Sequence, residues 1–312
     1  MSRLISSAAR SLFTSNVPKG ARVLVTGASG WFGRTAVDLL AGTDAQLYCT
    51  ASTSRTIRVS NRDIDVRTWD AEDVTRFQPE LVIDCAFLTR DRLSEDRMAE
   101  YITINRTLTS QMLSAAALPT VHTVITISSG AAVYPQDALT LPFDDNPYGY
   151  LKREAEQALL GQALDSGVHA VVARAWAVSG GHVQFPRTFA FSDMILQAEG
   201  GTGIEIKAPV EVWRRYTAVD ELLAVAAATA ARRSGIVESG GPLVEMAGLA
   251  DAVRRVVDPG LEVSRPPMSH GPANRYHNDG LAWRMACAEF SFTPLGLDDQ
   301  IRATREGLMA QR

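Results

Sequence analysis

Cysteine, basic charge and long apolar runs are all in short supply in this chain. Cys49, Cys85 and Cys287 are its only thiols, an odd number with no metal-ligand spacing. That count argues against a disulfide framework and a thiolate metal centre, and no metal is expected; a reducing, cytoplasmic setting is. Cys49 and Cys85 stand in apolar strand-like runs, where a thiol packs as a small hydrophobe. Lys and Arg number 31 against 35 Asp and Glu, a net charge of −4. Neutralising phosphates needs a basic surface, so nucleic acid is not the expected partner. No apolar stretch reaches the ~18 residues of a membrane span, and no membrane partner is expected.

What is present is ordinary globular composition, 46% hydrophobic and 21% charged over 312 residues, enough for one large domain with an appendage. Residues 1–20 are basic, rich in Ser and Ala and free of acids, the composition of an organelle transit peptide. The reading preferred over that one is an amphipathic arm, with Leu4, Ile5, Ala8 and Leu12 near one face, packed on the domain or on a partner subunit.

Apolar runs at 22–25, 46–51, 80–87, 122–128 and 169–174 read as strands, with a further strand within 62–70. Helical patterns follow 30–40, fill two stretches around 92–117 and run through 148–164. Strands alternating with such helices predict a doubly wound parallel α/β sheet of the Rossmann kind over 21–175. From 176 to 312 Gly and Pro punctuate shorter elements around one alanine-rich helix, 220–232. This part is expected to form a smaller substrate-binding lobe over the sheet's carboxyl edge, with some segments returning to the larger domain.

Between the first strand and helix lies Thr26-Gly27-Ala28-Ser29-Gly30-Trp31-Phe32-Gly33. Glycines at 27, 30 and 33 permit a tight turn and close approach of backbone to a pyrophosphate. Ser29, Trp31 and Phe32 stand with them at the helix N-terminus, where free N–H groups attract an anion. An acid about twenty residues on would bind a ribose 2′-hydroxyl. The chain instead has Ala51-Ser52-Thr53-Ser54-Arg55. Ser52 and Arg55 suit a 2′-phosphate, so NADP is favoured over NAD. Asp70 and Ala71 are placed to border the adenine, and Cys85, Ala86 and Phe87 to line the cleft beside the nicotinamide ribose.

Tyr148 and Lys152 are four residues apart on a helix that begins after Pro147, so they share a face. An unperturbed phenol, with a pKa of ~10, is a poor base near neutrality. A nearby ammonium favours the phenolate, letting Tyr148 exchange a proton with a substrate oxygen. Tyr150 has no lysine four residues on. A hydroxyl to orient that oxygen is sought at the end of the preceding strand, in Ser128-Ser129-Gly130-Ala131-Ala132-Val133-Tyr134-Pro135.

With these motifs in hand, the chain resembles the extended short-chain dehydrogenase/reductase family, the NAD-dependent epimerase/dehydratase group acting largely on nucleotide sugars. The likeness runs from about Arg22 to Glu221 through TGASGWFG at 26–33, DCAFL at 84–88, Asn105, ISSGAAVYP at 127–135, PYGYLKREAE at 147–156 and WRRYTAVDE at 213–221, with a weaker echo near Arg275. The resemblance implies a sugar-nucleotide lobe and a homodimer built through two helices per subunit. It also implies that Lys152 holds the nicotinamide ribose. The family's usual Ser or Thr falls on Gly130, so the orienting hydroxyl passes to Ser129, with Ser128 in reserve. Ala131 and Ala132 replace the acid pair of the family's dehydratases, and Ala177 stands at an asparagine position that meets substrate. Implied substrate contacts in the lobe are His182, Gln184, Arg187, Arg214 and Arg275, with Arg214 matching the phosphate-binding arginine better than Arg215.

The expected activity is a nucleotide-sugar epimerase or 4-keto reductase. A reductase of a non-nucleotide carbonyl metabolite is the alternative, favoured by Ala177, and a non-catalytic NAD(P)-binding protein is a third reading.

Overall fold

A computed structural model describes residues 4–89, 97–134, 143 and 146–311. The start of the expected helical stretch at 92 and Pro135 lie outside them.

Eight strands form one sheet in the order β11-β7-β6-β5-β1-β2-β4-β3. They are β1 (Arg22–Thr26), β2 (Gln46–Thr50), β3 (Arg55–Val59), β4 (Arg62–Arg67), β5 (Leu81–Asp84), β6 (Thr123–Ser129), β7 (His169–Ala175) and β11 (Gly235–Glu238). All neighbours pair in parallel except β3 with β4. That hairpin was not foreseen, and it places Arg55 and Arg58 on a strand. Ser60 and Asn61, both at positive φ (49° and 60°), supply its turn.

The apolar strands alternate, and the alternation divides the core in two. Val23, Val25, Ile83, Ile125 and Val171 face one helical layer, while Leu24, Val82, Val124 and Ala170 face the other. The first layer holds α2 (Trp31–Leu40) and the buried, alanine-rich α7 (Val219–Ala230); the second holds α3 (Ala71–Phe77), α4 (Met98–Ala116) and α5 (Pro147–Ser166). Among described residues no helix is long and apolar enough to cross a membrane.

The N-terminal segment folds as α1 (Ser7–Thr14) on α7 and α2. Its buried face is Ile5, Ala9 and Phe13, whereas Ala8, expected to be on that face, is exposed. Arg10 reaches Asp38 of α2 at 2.8 Å, and the Ser6 N–H donates to Asp220 of α7 at 2.7 Å.

After β7 the chain builds a second, smaller sheet around β10 (Val212–Ala218), flanked by β12 (Leu243–Glu245), β14 (Asn274–Arg275) and β8 (Ala177–Ser179). β11 and α7 return to the large sheet between these pieces. The return places Arg214 and Tyr276 above the carboxyl ends of β6 and β7.

Candidate active site

The glycine turn leaves the carboxyl end of β1. Gly27 has φ of 61°, and a Cβ there would lie 2.6 Å from the Cys85 carbonyl oxygen. Gly33 packs so closely on Gly27 that any side chain would strike its backbone. Helix α2 is thereby held hard against β1, and no side chain caps its N-terminus at Gly30. The first-turn N–H groups of such a helix have no partner within it. These features fit a dinucleotide's pyrophosphate at Gly27, Ser29, Gly30, Trp31, Phe32 and Gly33.

At the edge of this turn Ser52 and Arg55 are exposed, with Arg55 donating to the Thr53 hydroxyl. Arg34, the residue after the third glycine, was missed by sequence reasoning, although its position was the signal. Its Nε donates to the Ser29 carbonyl at 3.1 Å, and burial, together with the nearby Arg55 charge, lowers its pKa. Two guanidiniums thus share one corner of the turn. Asp70 caps α3 by accepting the Asp73 N–H at 2.9 Å, which commits one carboxylate oxygen before any adenine is met. Ala71 begins that helix.

Tyr148 stands in the first turn of α5, after Asn146 as N-cap and Pro147. Gly149 beside it is required, because a Cβ would run into the Ala131 carbonyl. Phe87 meets the Tyr148 ring edge-on at 5.4 Å, and the Lys152 ammonium lies 3.9 Å over the same Phe87 ring. Lys152 Nζ donates to the Ile127 carbonyl at 2.6 Å. Burial pushes the ammonium down to about 8, against the pull of Asp84 and Glu156. Asp84 accepts the hydroxyls of Thr26 (2.6 Å) and Thr126 (2.8 Å), and burial raises its pKa. Ala86 completes this wall, its N–H donating to Thr26 Oγ1 at 3.2 Å.

Ser128 and Ser129 separate cleanly, because successive strand residues point to opposite faces. The Ser128 hydroxyl is buried and unpartnered among described residues, in a small cavity with Lys152 and Asp84. Ser129 Oγ lies 3.1 Å from the Tyr276 hydroxyl and accepts the Ala131 N–H at 3.2 Å. A Cβ at Gly130 would come within 2.7 Å of Trp176 Cε2 and nearer still to other indole atoms. No hydroxyl side chain fits at 130.

Arg214 overlies the Tyr276 ring at 5.5 Å and donates to Asn274 Oδ1 at 2.8 Å. Arg215 donates to the carbonyls of Asn278 and Gly241. Four expected substrate contacts have other partners in the fold. His182 is buried against Asp38 at 2.7 Å, in the same carboxylate cluster as Arg10. Arg187 is exposed and paired with Asp193 at 3.2 Å, and Gln184 donates to the His182 carbonyl. Arg275 projects outward over Trp213, 3.7 Å from Glu211, while its neighbour Tyr276 reaches the cleft. The aromatic contribution of Tyr276 and Trp176 carried no sequence signal beyond the echo at Arg275.

A phenol, an ammonium and a second hydroxyl near a glycine turn are groups that hydride transfer at an oxygen-bearing carbon could use. The NAD dependent epimerase/dehydratase family profile matches residues 23–239. The chain belongs to that family. It is an NAD(P)-dependent enzyme of the extended short-chain dehydrogenase/reductase type. Among solved structures it is similar to UDP-N-acetylglucosamine 4-epimerase from Methanobrevibacter ruminantium M1 in complex with UDP-N-acetylmuramic acid, at 19% identity and a TM-score of 0.77, over 95% of this chain and 100% of that one. UDP-glucose 4-epimerase from Thermotoga maritima with UDP-glucose gives 20% identity, a TM-score of 0.72, and coverage of 93% and 99%. MoeE5 in complex with UDP-glucose and NAD gives 22%, 0.72, and coverage of 93% and 99%. No curated protein sequence matches.

Proposed function

We propose that this family member is an epimerase or 4-keto reductase of a nucleotide sugar and prefers NADP(H). The observation that carries the reading is the cluster of Tyr148, Phe87, Lys152 and Ser129 beside the glycine turn, with Arg214 above it. The named substrates of the similar structures support the same class. The glycine turn would hold the pyrophosphate, Lys152 the nicotinamide ribose, and Ala86 and Phe87 the wall beside it, with Ala71 and the free side of Asp70 at the adenine. When bound, the nicotinamide supplies the hydride acceptor or donor. Tyr148 takes the proton from the substrate hydroxyl on oxidation and returns it to the keto oxygen on reduction. Ser129 donates to that oxygen. Arg214 offers a planar fork suited to a diphosphate.

Alanines at 131 and 132 leave the end of β6 without the acid and base that dehydration needs, so net epimerisation or reduction is the expected outcome. The expected homodimer would form through two helices of each subunit.

UDP at millimolar concentration is expected to raise the melting temperature of the NADP-loaded protein, since a ligand that binds only the folded state stabilises it. If no nucleoside diphosphate shifts it, the nucleotide-sugar reading falls. Reduction of a non-nucleotide carbonyl then stands in its place, favoured by Ala177 and by the aromatic wall of Trp176, Tyr134 and Tyr276.

Cofactor preference follows from the two guanidiniums. Changing Arg34 and Arg55 together to Ala is expected to weaken NADPH binding by roughly 10- to 100-fold, the loss of charge-assisted bonds to a phosphate. NADH binding should change little. Titration of nicotinamide fluorescence measures both, and equal losses would remove the case for a 2′-phosphate site.

A further inference from the structure

We propose that Tyr276, carried by the smaller lobe, is a positioning residue of the hydride-transfer site, whose phenol fixes the Ser129 hydroxyl as a donor toward the substrate oxygen. The proposal rests on the functional reading above and adds a member to its site. Its starting point is steric. The Trp176 indole fills the space that any side chain at 130 would need, so the orienting hydroxyl comes from Ser129, one residue earlier.

A serine hydroxyl has one proton and two acceptor positions. The Ala131 N–H occupies one acceptor position of Ser129 at 3.2 Å. The Tyr276 hydroxyl, at 3.1 Å, occupies the other when it donates. The single Ser129 proton is then left for the oxygen of a bound substrate. The result is a directed chain, from Tyr276 to Ser129 to substrate, in which each bond polarises the next.

Tyr276 is built to keep that direction. Burial raises its pKa to about 12, so the phenol stays protonated wherever the enzyme works. Its ring is fixed by Trp176 at 5.1 Å, by Tyr134 at 5.2 Å and by the Arg214 guanidinium at 5.5 Å. Tyr148, which must gain and lose a proton, meets Phe87 edge-on. One phenol exchanges protons and the other holds one. Because Tyr276 follows β14, the chain is completed only when the smaller lobe is seated on the large sheet.

The test compares Tyr276→Phe, Ser129→Ala and the double variant with wild type, using UDP-glucose and NADP+ and reading turnover as formation of the epimerised sugar nucleotide together with any net nicotinamide reduction. Tyr276→Phe keeps the ring and loses only the hydroxyl. Its kcat should fall about 10-fold, as for one neutral hydrogen bond, with cofactor KM unchanged and the same loss across the neutral pH range. Ser129→Ala should fall roughly 100-fold, as for one oxyanion donor. The double variant should be no slower than Ser129→Ala alone, because Tyr276 acts only through Ser129.

Multiplying losses, an unaffected Tyr276→Phe or a loss confined to cofactor KM would each overturn the proposal. If wild type turns over no UDP-glucose, the same three variants are compared by melting temperature. Coupling between 129 and 276 then keeps the hydroxyl pair while the choice of substrate fails; additive shifts sink the pair itself.

Discussion

Tyr148→Phe is expected to lower turnover by about 10²- to 10⁴-fold, the usual contribution of a positioned proton-transfer group. The variant keeps the ring that meets Phe87 edge-on at 5.4 Å, so the wall of the cleft and the cofactor position survive. NADPH affinity should therefore match wild type, and only the chemical step should slow. Lys152 cannot substitute: its ammonium lies over Phe87 and donates to the Ile127 carbonyl. Turnover within about tenfold of wild type would assign the proton to another group and remove Tyr148 from the mechanism. If Tyr148→Phe left every activity and phenotype unchanged, a binding protein without catalysis would be favoured instead.

Arg174→Met is expected to cost about 3–5 kcal/mol of stability, the penalty for leaving one charge of a buried pair uncompensated. Arg174 contacts both oxygens of Glu156 from 2.6 to 3.2 Å and reaches Glu238 at 2.9 Å, with the Glu156 side chain only 4% exposed. Glu156 lies one helical turn beyond Lys152 on α5, so the pair ties the helix bearing Tyr148 to β7 and β11. Adding Glu156→Gln to Arg174→Met should recover part of the loss by removing the stranded charge. Chemical denaturation measures both. A loss under about 1 kcal/mol would mean that water screens the pair as it does surface bridges.

The parts of the molecule that were legible in sequence are those written in adjacent residues. The run of β1, the glycine turn and α2 could be placed because turn geometry, helix start and strand pattern occupy fewer than twenty consecutive positions. Tyr148 and Lys152 were legible for the same reason, being one helical turn apart. The β3–β4 hairpin was not, since Ser60 and Asn61 carry no glycine and the strands are mostly polar at an exposed edge. The arm shows how a correct element can carry an incorrect face. Its helix was expected, yet Ile5, Ala9 and Phe13 point inward and Ala8 does not.

Choices between neighbours needed the fold. Ser128 and Ser129 are indistinguishable as letters, and strand parity sends one to the Lys152 side and the other to Tyr276. His182 had the right chemistry for a substrate contact, but packing gives it to Asp38. Arg275 matched the pattern, yet the adjacent Tyr276 is the residue that enters the cleft.

By itself, then, the sequence determined the doubly wound class, the glycine turn and the Tyr148–Lys152 pair, because each depends on local spacing and on the free-energy cost of misplacing a glycine or an apolar residue. Tertiary structure alone decided what surrounds that pair: Trp176 over Gly130, Tyr276 on Ser129 and Arg34 beside Arg55. Those contacts join residues far apart in the chain, and only packing of the smaller lobe and the sheet edge against the main domain brings them within bonding distance.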